Sequence, residues 1–158
     1  MSEENIRFPD ATDQEIAEAA AAAMMRDDLA TQTVGITVAK IGPGISQLNL
    51  TVRRDMLNGH MTGHGGYTFM LADTALAFAC NSHNQRAMAQ HTSLSFLAPT
   101  YEGDVLTADA KEVVIAGRSG TYDVVVTNQK GEKVALFRGV SRTIRGRLDE
   151  DYPVSHDF

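Results

Sequence analysis

The stretch Asn58-Gly59-His60-Met61-Thr62-Gly63-His64-Gly65-Gly66 runs straight into an almost wholly apolar segment, Phe69 to Cys80, which a single acid, Asp73, interrupts. A carboxylate inside an apolar helix is costly to bury unless the fold or the chemistry requires it. The residue types describe an acyl-transfer site. Backbone N–H groups at a helix N-terminus stabilise the negative charge that develops on a carbonyl oxygen without having to reorganise. Gly65 and Gly66 stand where the apolar helix should begin, and without side chains they let a substrate approach the backbone. A plain turn is the competing reading of that pair. Asp73 supplies a carboxylate, either as general base on water or as nucleophile on the acyl carbon. Its competing reading is a buried acid satisfied by backbone or by Thr74.

Three polar side chains precede the helix. The Asn58 amide suits binding of an attacking water or of the carbonyl oxygen, although the Asn-Gly dipeptide taken alone favours a turn. His64 is expected to order the loop or help polarise the carbonyl, and His60 to be a loop histidine. Gly65 and Asp73 lie eight positions apart, so one helix separates them by roughly 12 Å at about 1.5 Å per residue. Both cannot touch one carbonyl from the same helix. If both act on one acyl group, donor and carboxylate come from two subunits of a symmetric dimer.

The elements that must position these residues are legible along the chain. Thr12-Asp13-Gln14-Glu15 has the pattern of a capping box, opening an alanine-rich packing helix to about Met25. A strand over Gly35 to Ile41, the turn Gly42-Pro43-Gly44 and the alternation of Leu48, Leu50 and Val52 with Asn49, Thr51 and Arg53 predict a hairpin. After the apolar helix, strands are predicted over about 87–97, 104–116, 120–128 and 133–144. Gly- or Pro-bearing turns separate them, so neighbours should run antiparallel. Residues 1–11 are expected to be disordered, 12–147 to form one domain, and 148–158, with Asp149-Glu150-Asp151, to be a flexible acidic tail without function.

Composition narrows the function classes. A chain of 158 residues, 43% hydrophobic, suits one domain with a sizeable core, and a formal charge of −6 with a pI near 5.3 argues against a nucleic-acid partner. The lone Cys80 allows no disulfide framework or paired-cysteine metal site and fits a reducing compartment. The polar, acidic start reads neither as a secretory signal nor as a membrane span, so a cytoplasmic location without membrane contact is expected.

The element order, together with Asn-Gly-His, His-Gly-Gly, Leu71-Ala72-Asp73-Thr74-Ala75 and Ala79-Cys80-Asn81-Ser82, resembles the hotdog-fold acyl-CoA thioesterases, and within them the phenylacetyl-CoA (PaaI-type) branch. The likeness spans roughly 29–147; 58–82 is its specific part, and Val134-Ala135-Leu136-Phe137-Arg138-Gly139 adds weaker support. It implies an α+β fold with an antiparallel sheet wrapped around one long helix, and a thioesterase that cleaves an aryl or arylacetyl coenzyme A ester. It also implies a site shared across a dimer that pairs into a tetramer, with Asp73, Gly65, Asn58 and His64 as catalytic residues. Gly66, His91, Thr92, Arg118, Arg138 and Gly139 are then expected at the substrate, and Arg142 beside the Gly117-Arg118-Ser119-Gly120 loop is a further candidate for coenzyme A phosphates. Coenzyme A is part of the substrate, and no metal or other cofactor is expected. One departure concerns the strand after the helix. Relatives often carry a hydroxyl residue near the carboxylate, where this chain has Ala89, leaving Gln90, His91 or Thr92 to position water. An enoyl-CoA hydratase and a non-catalytic acyl-CoA sensor are the rival readings.

Overall fold

The computed structural model describes residues 6–155. Helix α1 (Asp13–Asp27) opens on the expected capping box: Thr12 Oγ1 accepts from Glu15 N, and Glu15 Oε2 accepts from Thr12 N at 2.8 Å. Its alanines do more than favour helix. Ile16, Ala17, Ala20 and Ala23 form one buried face that lets α1 lie close against the domain. A short helix that the sequence reading did not separate, α2 (Leu29–Val34), follows with Asp28 as its cap, Oδ1 accepting from Thr31 N at 3.0 Å.

Six strands make one antiparallel sheet: β1 (Thr37–Gly42), β2 (Ile45–Thr51), β3 (Gln85–Phe96), β4 (Val105–Ala116), β5 (Ser119–Thr127) and β6 (Lys133–Arg147), in the order β1-β2-β4-β5-β6-β3. The predicted hairpin is β1–β2, and the four later strands fall where the turns placed them. A 3-10 turn over Arg54–Met56 and the loop up to His64 then deliver the chain to α3 (Gly65–Asn81).

Helix α3 lies across one face of the sheet. Leu71, Ala75, Leu76, Phe78 and Ala79 pack with Leu48 and Leu50 of β2, Leu106 and Ala108 of β4, Tyr122 and Val124 of β5, and Phe137 of β6, all nearly inaccessible to solvent. Burying a Leu- or Phe-sized side chain contributes about 1.5–3 kcal/mol, so this contact fixes the helix. Gly139 of β6 makes the closest approach possible: a Cβ there would stand 2.5 Å from Leu76 Cδ2. One stripe of α3 is left uncovered by its own sheet. Gly66, Met70, Asp73 and Ala77, spaced three or four apart, are all partly or fully exposed.

The expectation of a flexible acidic tail does not hold for 148–155. Asn84, at φ +61° just past α3, gathers that segment. Its Oδ1 accepts from Leu148 N and Asp149 N, and its Nδ2 donates to the carbonyls of Asp149, Tyr152 and Pro153, at 2.9–3.2 Å. Ser155 N donates to the His83 carbonyl, and Tyr152 packs on Phe8 with ring centroids 4.8 Å apart. Five hydrogen bonds from one buried amide outweigh three adjacent acids in deciding where the segment lies. The remaining parts of the two terminal expectations, 1–5 and 156–158, lie outside the described residues.

Candidate active site

The loop before α3 is closed by a bridge between Leu57 and Gly63, and Asn58 is its internal scaffold. Asn58 Oδ1 accepts from His60 N (2.9 Å) and Thr62 N (3.3 Å), while Nδ2 donates to Thr62 Oγ1 (3.0 Å). The turn reading of Asn58 therefore describes its carbonyl, and the second N–H of Nδ2 is what the side chain has left to offer a ligand. His60 sits exposed at the loop tip.

His64 is the N-cap of α3. Its backbone is extended, and Nδ1 accepts from Gly66 N at 2.9 Å. Accepting through Nδ1 requires the neutral ring with its proton on Nε2. Its main chain is pinned by His64 N to Met56 O (2.8 Å), and the preceding Gly63 N to Thr100 O (2.7 Å). The imidazole thus takes up the Gly66 N–H, while Gly66 itself stays exposed at the helix start. Gly65 N–H is different, because as the first helical residue it has no intrahelical acceptor. A cavity of about 340 Å³ opens beside it, lined by Gly63, Gly65, Thr68, Phe96, Leu97 and Thr100.

Two turns along α3, Asp73 is half-buried in the middle of the uncovered stripe. Its carboxylate makes no hydrogen bond or ion pair among the described residues. Thr74, the neighbour that might have satisfied it, turns its hydroxyl to Met70 O at 2.7 Å instead. Burial pushes the Asp73 carboxyl above the usual carboxylate range. Farther along, the Cys80 thiol is raised to about 12, mainly by burial, with the Asp73 charge adding to it. It is not a nucleophile.

The remaining candidates divide between the two faces of the sheet. Thr92 pairs with Gly139 and shares the α3 face with Leu94, whereas His91, one residue earlier, points to the other face. Thr92 therefore offers a hydroxyl on the α3 face. Gly139 is buried beneath Leu76, which corrects its assignment to substrate: its role is to admit the helix. Arg138 lies on the outer face, held by Asp123 through two hydrogen bonds of 2.6 and 2.8 Å. That pairing holds the Asp123 carboxyl below the usual range and occupies two of the Arg138 N–H groups. Arg118 instead joins Arg145, Arg147, Gln85 and Thr143 around a cavity of about 730 Å³. Arg145 and Arg147 escaped the sequence reading because they stand in a run that only the strand pairing carries to the Arg118 turn.

Sequence reasoning also missed a buried polar cluster. His83 Nε2 lies 2.8 Å from Glu112 Oε2, which also accepts from Tyr122 OH at 2.9 Å, and His83 Nδ1 is 3.1 Å from Ser155 Oγ. Burial, then Glu112, raises the Tyr122 hydroxyl far above its ordinary value. No local pattern announces residues 29 and 10 positions apart as neighbours. Among the described residues no cluster suited to a metal ion is found, and no helix is long and apolar enough to cross a membrane.

Comparison with known proteins gives consistent matches. The profile of the Thioesterase superfamily matches residues 60–135. Acyl-coenzyme A thioesterase PaaI of Escherichia coli (strain K12) is 41% identical over 126 residues, covering 80% of this chain and 90% of that protein. The solved structure of the E. coli PaaI protein from the phenylacetic acid degradation operon superposes with a TM-score of 0.84 at 40% identity, covering 86% of this chain and 99% of the other. A hypothetical thioesterase of Streptococcus pneumoniae TIGR4, solved with coenzyme A, gives a TM-score of 0.69 at 25% identity over 72% of this chain and 88% of its own.

Proposed function

Because this chain belongs to the thioesterase superfamily, with the hotdog fold and the activity of an acyl-CoA thioesterase, we propose that it hydrolyses aryl or arylacetyl coenzyme A esters of the phenylacetyl type at a site shared by two subunits. The observation that carries the catalytic part is Asp73: a half-buried carboxylate without a partner among the described residues, on the one stripe of α3 that its own sheet leaves open. The acyl preference rests on the likeness to PaaI.

In the base route Asp73 takes a proton from water as the water oxygen bonds to the thioester carbon. The carbonyl electrons move onto oxygen, where the Gly65 N–H of the other subunit meets them. The carbonyl then re-forms, the carbon–sulfur bond breaks, and coenzyme A leaves as a thiolate that recovers the proton. In the nucleophilic route the Asp73 oxygen bonds to the same carbon and expels the thiolate, and water then cleaves the resulting anhydride. Either route needs the ionised carboxylate, and the second N–H of Asn58 Nδ2 and the Thr92 hydroxyl are the groups proposed to orient water. The neutral His64 ring keeps the helix start in register. These steps use protein groups and water alone.

The shared site has two supports. About 12 Å along one helix separates Gly65 from Asp73, and β3 is a twelve-residue edge strand with Met88 63% exposed. A long edge carrying exposed apolar side chains invites pairing with another copy. Val113, Val114 and Leu136, also exposed, offer a second apolar surface for a tetramer. The arginine-lined cavity at Arg118, rather than Arg138, suits the coenzyme A phosphates. A cytoplasmic location belongs to the same proposal, resting on the lone cysteine.

The test is release of free coenzyme A from a panel of aryl, arylacetyl and straight-chain esters by wild type and Asp73→Asn. The variant should bind substrate and turn over at least about a hundredfold more slowly. Full activity in the variant would remove Asp73 from the chemistry, and binding without cleavage by wild type would favour the sensor. Water addition to an enoyl-CoA would favour the hydratase. An active monomer in light scattering would rule out the shared site.

A further inference from the structure

Phe96 stands at the last position of β3, paired with Ala135, and the next residue is held by Leu97 N donating to Val134 O at 2.9 Å. Its backbone is therefore fixed, yet its side chain is not buried: the residue remains 60% exposed. The tip of its ring is aimed at Gly65. A Cβ built on Gly65 would stand 2.7 Å from Phe96 Cζ and 2.9 Å from Cε1, closer than carbon atoms approach. The ring thus rests in contact with the Cα of Gly65, which is one bond, about 1.46 Å, from the nitrogen proposed to hold the oxyanion.

That contact has two consequences. A side chain at Gly65 would require the Phe96 ring to shift from its present position. The contact also means that an acyl group whose carbonyl oxygen reaches the Gly65 N–H must run beside an exposed aromatic ring, along a cavity of about 340 Å³ that Leu97 and Thr68 help to line. Aromatic pairs gain beyond their buried area when rings meet offset or edge to face, and a straight alkyl chain gains only the area.

We propose that Phe96 determines acyl selectivity, favouring groups with a planar ring one or two bonds from the thioester carbonyl; this rests on the reading of Gly65 as oxyanion donor. The experiment compares kcat/KM for phenylacetyl-CoA and hexanoyl-CoA in wild type, Phe96→Leu and Phe96→Tyr, with thermal melts to confirm that each variant folds. In Phe96→Leu the phenylacetyl-to-hexanoyl ratio should fall about five- to tenfold, while Phe96→Tyr, which keeps the ring, should hold it. A ratio unmoved in Phe96→Leu, even with both rates lowered, overturns the assignment while leaving the thioesterase reading intact. A wild type that cleaves neither ester takes both down together. The clash gives an independent check. Gly65→Ala should lose about a hundredfold in kcat/KM, and adding Phe96→Ala should return at least about tenfold of it by opening room for the new methyl. No recovery would place the ring away from the reacting group and overturn the proposal.

Discussion

At its first turn α3 offers the Gly65 N–H without an intrahelical acceptor, a single imidazole cap at His64, and exposed neighbours at Gly66 and Phe69. At its last turn the polar groups are spoken for. Asn81 bridges Ala77 and Ala87 through its amide, Ser82 Oγ donates to Ala79 O and accepts from Gly44 N, His83 meets Glu112 and Ser155, and Asn84 makes five hydrogen bonds. All four residues are at most 4% exposed. The contrast explains how one helix carries both jobs. Anchoring is concentrated at the C-terminal end and along the Leu71–Phe78 face, so the N-terminal end can leave a donor unspent, where the proposed mechanism puts the developing charge. Binding and catalytic elements are drawn from the less saturated parts of a fold for this reason.

The sharpest way to break the comparison is at the saturated end. Asn84→Ala should lower stability by about 3 kcal/mol, since it removes a buried five-bond hub at a positive φ that alanine tolerates poorly. Urea unfolding measures the loss, and kcat of the folded enzyme should stay near wild type. A fall in kcat with unchanged stability would mean that the two ends are not separable. At the open end, His64→Ala should cost about 1 kcal/mol, the value of a helix N-cap, yet lower kcat/KM by about tenfold, because the cap holds Gly65 and Gly66 in place. His64→Asn, which can cap, should restore stability and part of the activity. If it restores neither, the imidazole acts otherwise than as a cap.

The smallest effect concerns Asp73 and pH. Its carboxyl is raised above the ordinary 3.8, mainly by burial, so the folded chain holds that proton more tightly than the unfolded one. Ionisation therefore takes stability away as pH rises from the ordinary value through the raised one. Asp73→Asn should melt slightly above wild type at neutral pH, with the gap closing below that interval, as melts across pH would record. Activity should run the opposite way, rising with pH as the carboxylate forms. A variant that melts lower at neutral pH would show that the acid is structural.

Much of this was legible in the sequence where local pattern and tertiary packing agree. Thr12 and Glu15 announced α1, the apolar run announced α3, and the turns at 98–103 and 117–120 separated strands within a few residues of where they stand. Helix α2 escaped because six residues are too few to display a helical period. The clasp at Asn84 escaped because hydrogen bonds spanning more than sixty positions leave no local trace, and three acids in a row looked like a solvated tail. Arg138 and Gly139 looked alike as neighbours of a substrate. Strand alternation sends one outward to Asp123 and the other inward beneath Leu76.

The burial of Cys80 has a practical side. The reaction product is a thiol, and the chain carries one cysteine, shut inside the core with its thiol raised to about 12. A thiol-reactive dye added to the folded enzyme therefore counts product without counting catalyst. Added during denaturation, the same dye gains one equivalent per chain as the core opens, so a single reagent reads both turnover and the integrity of the scaffold that supports it.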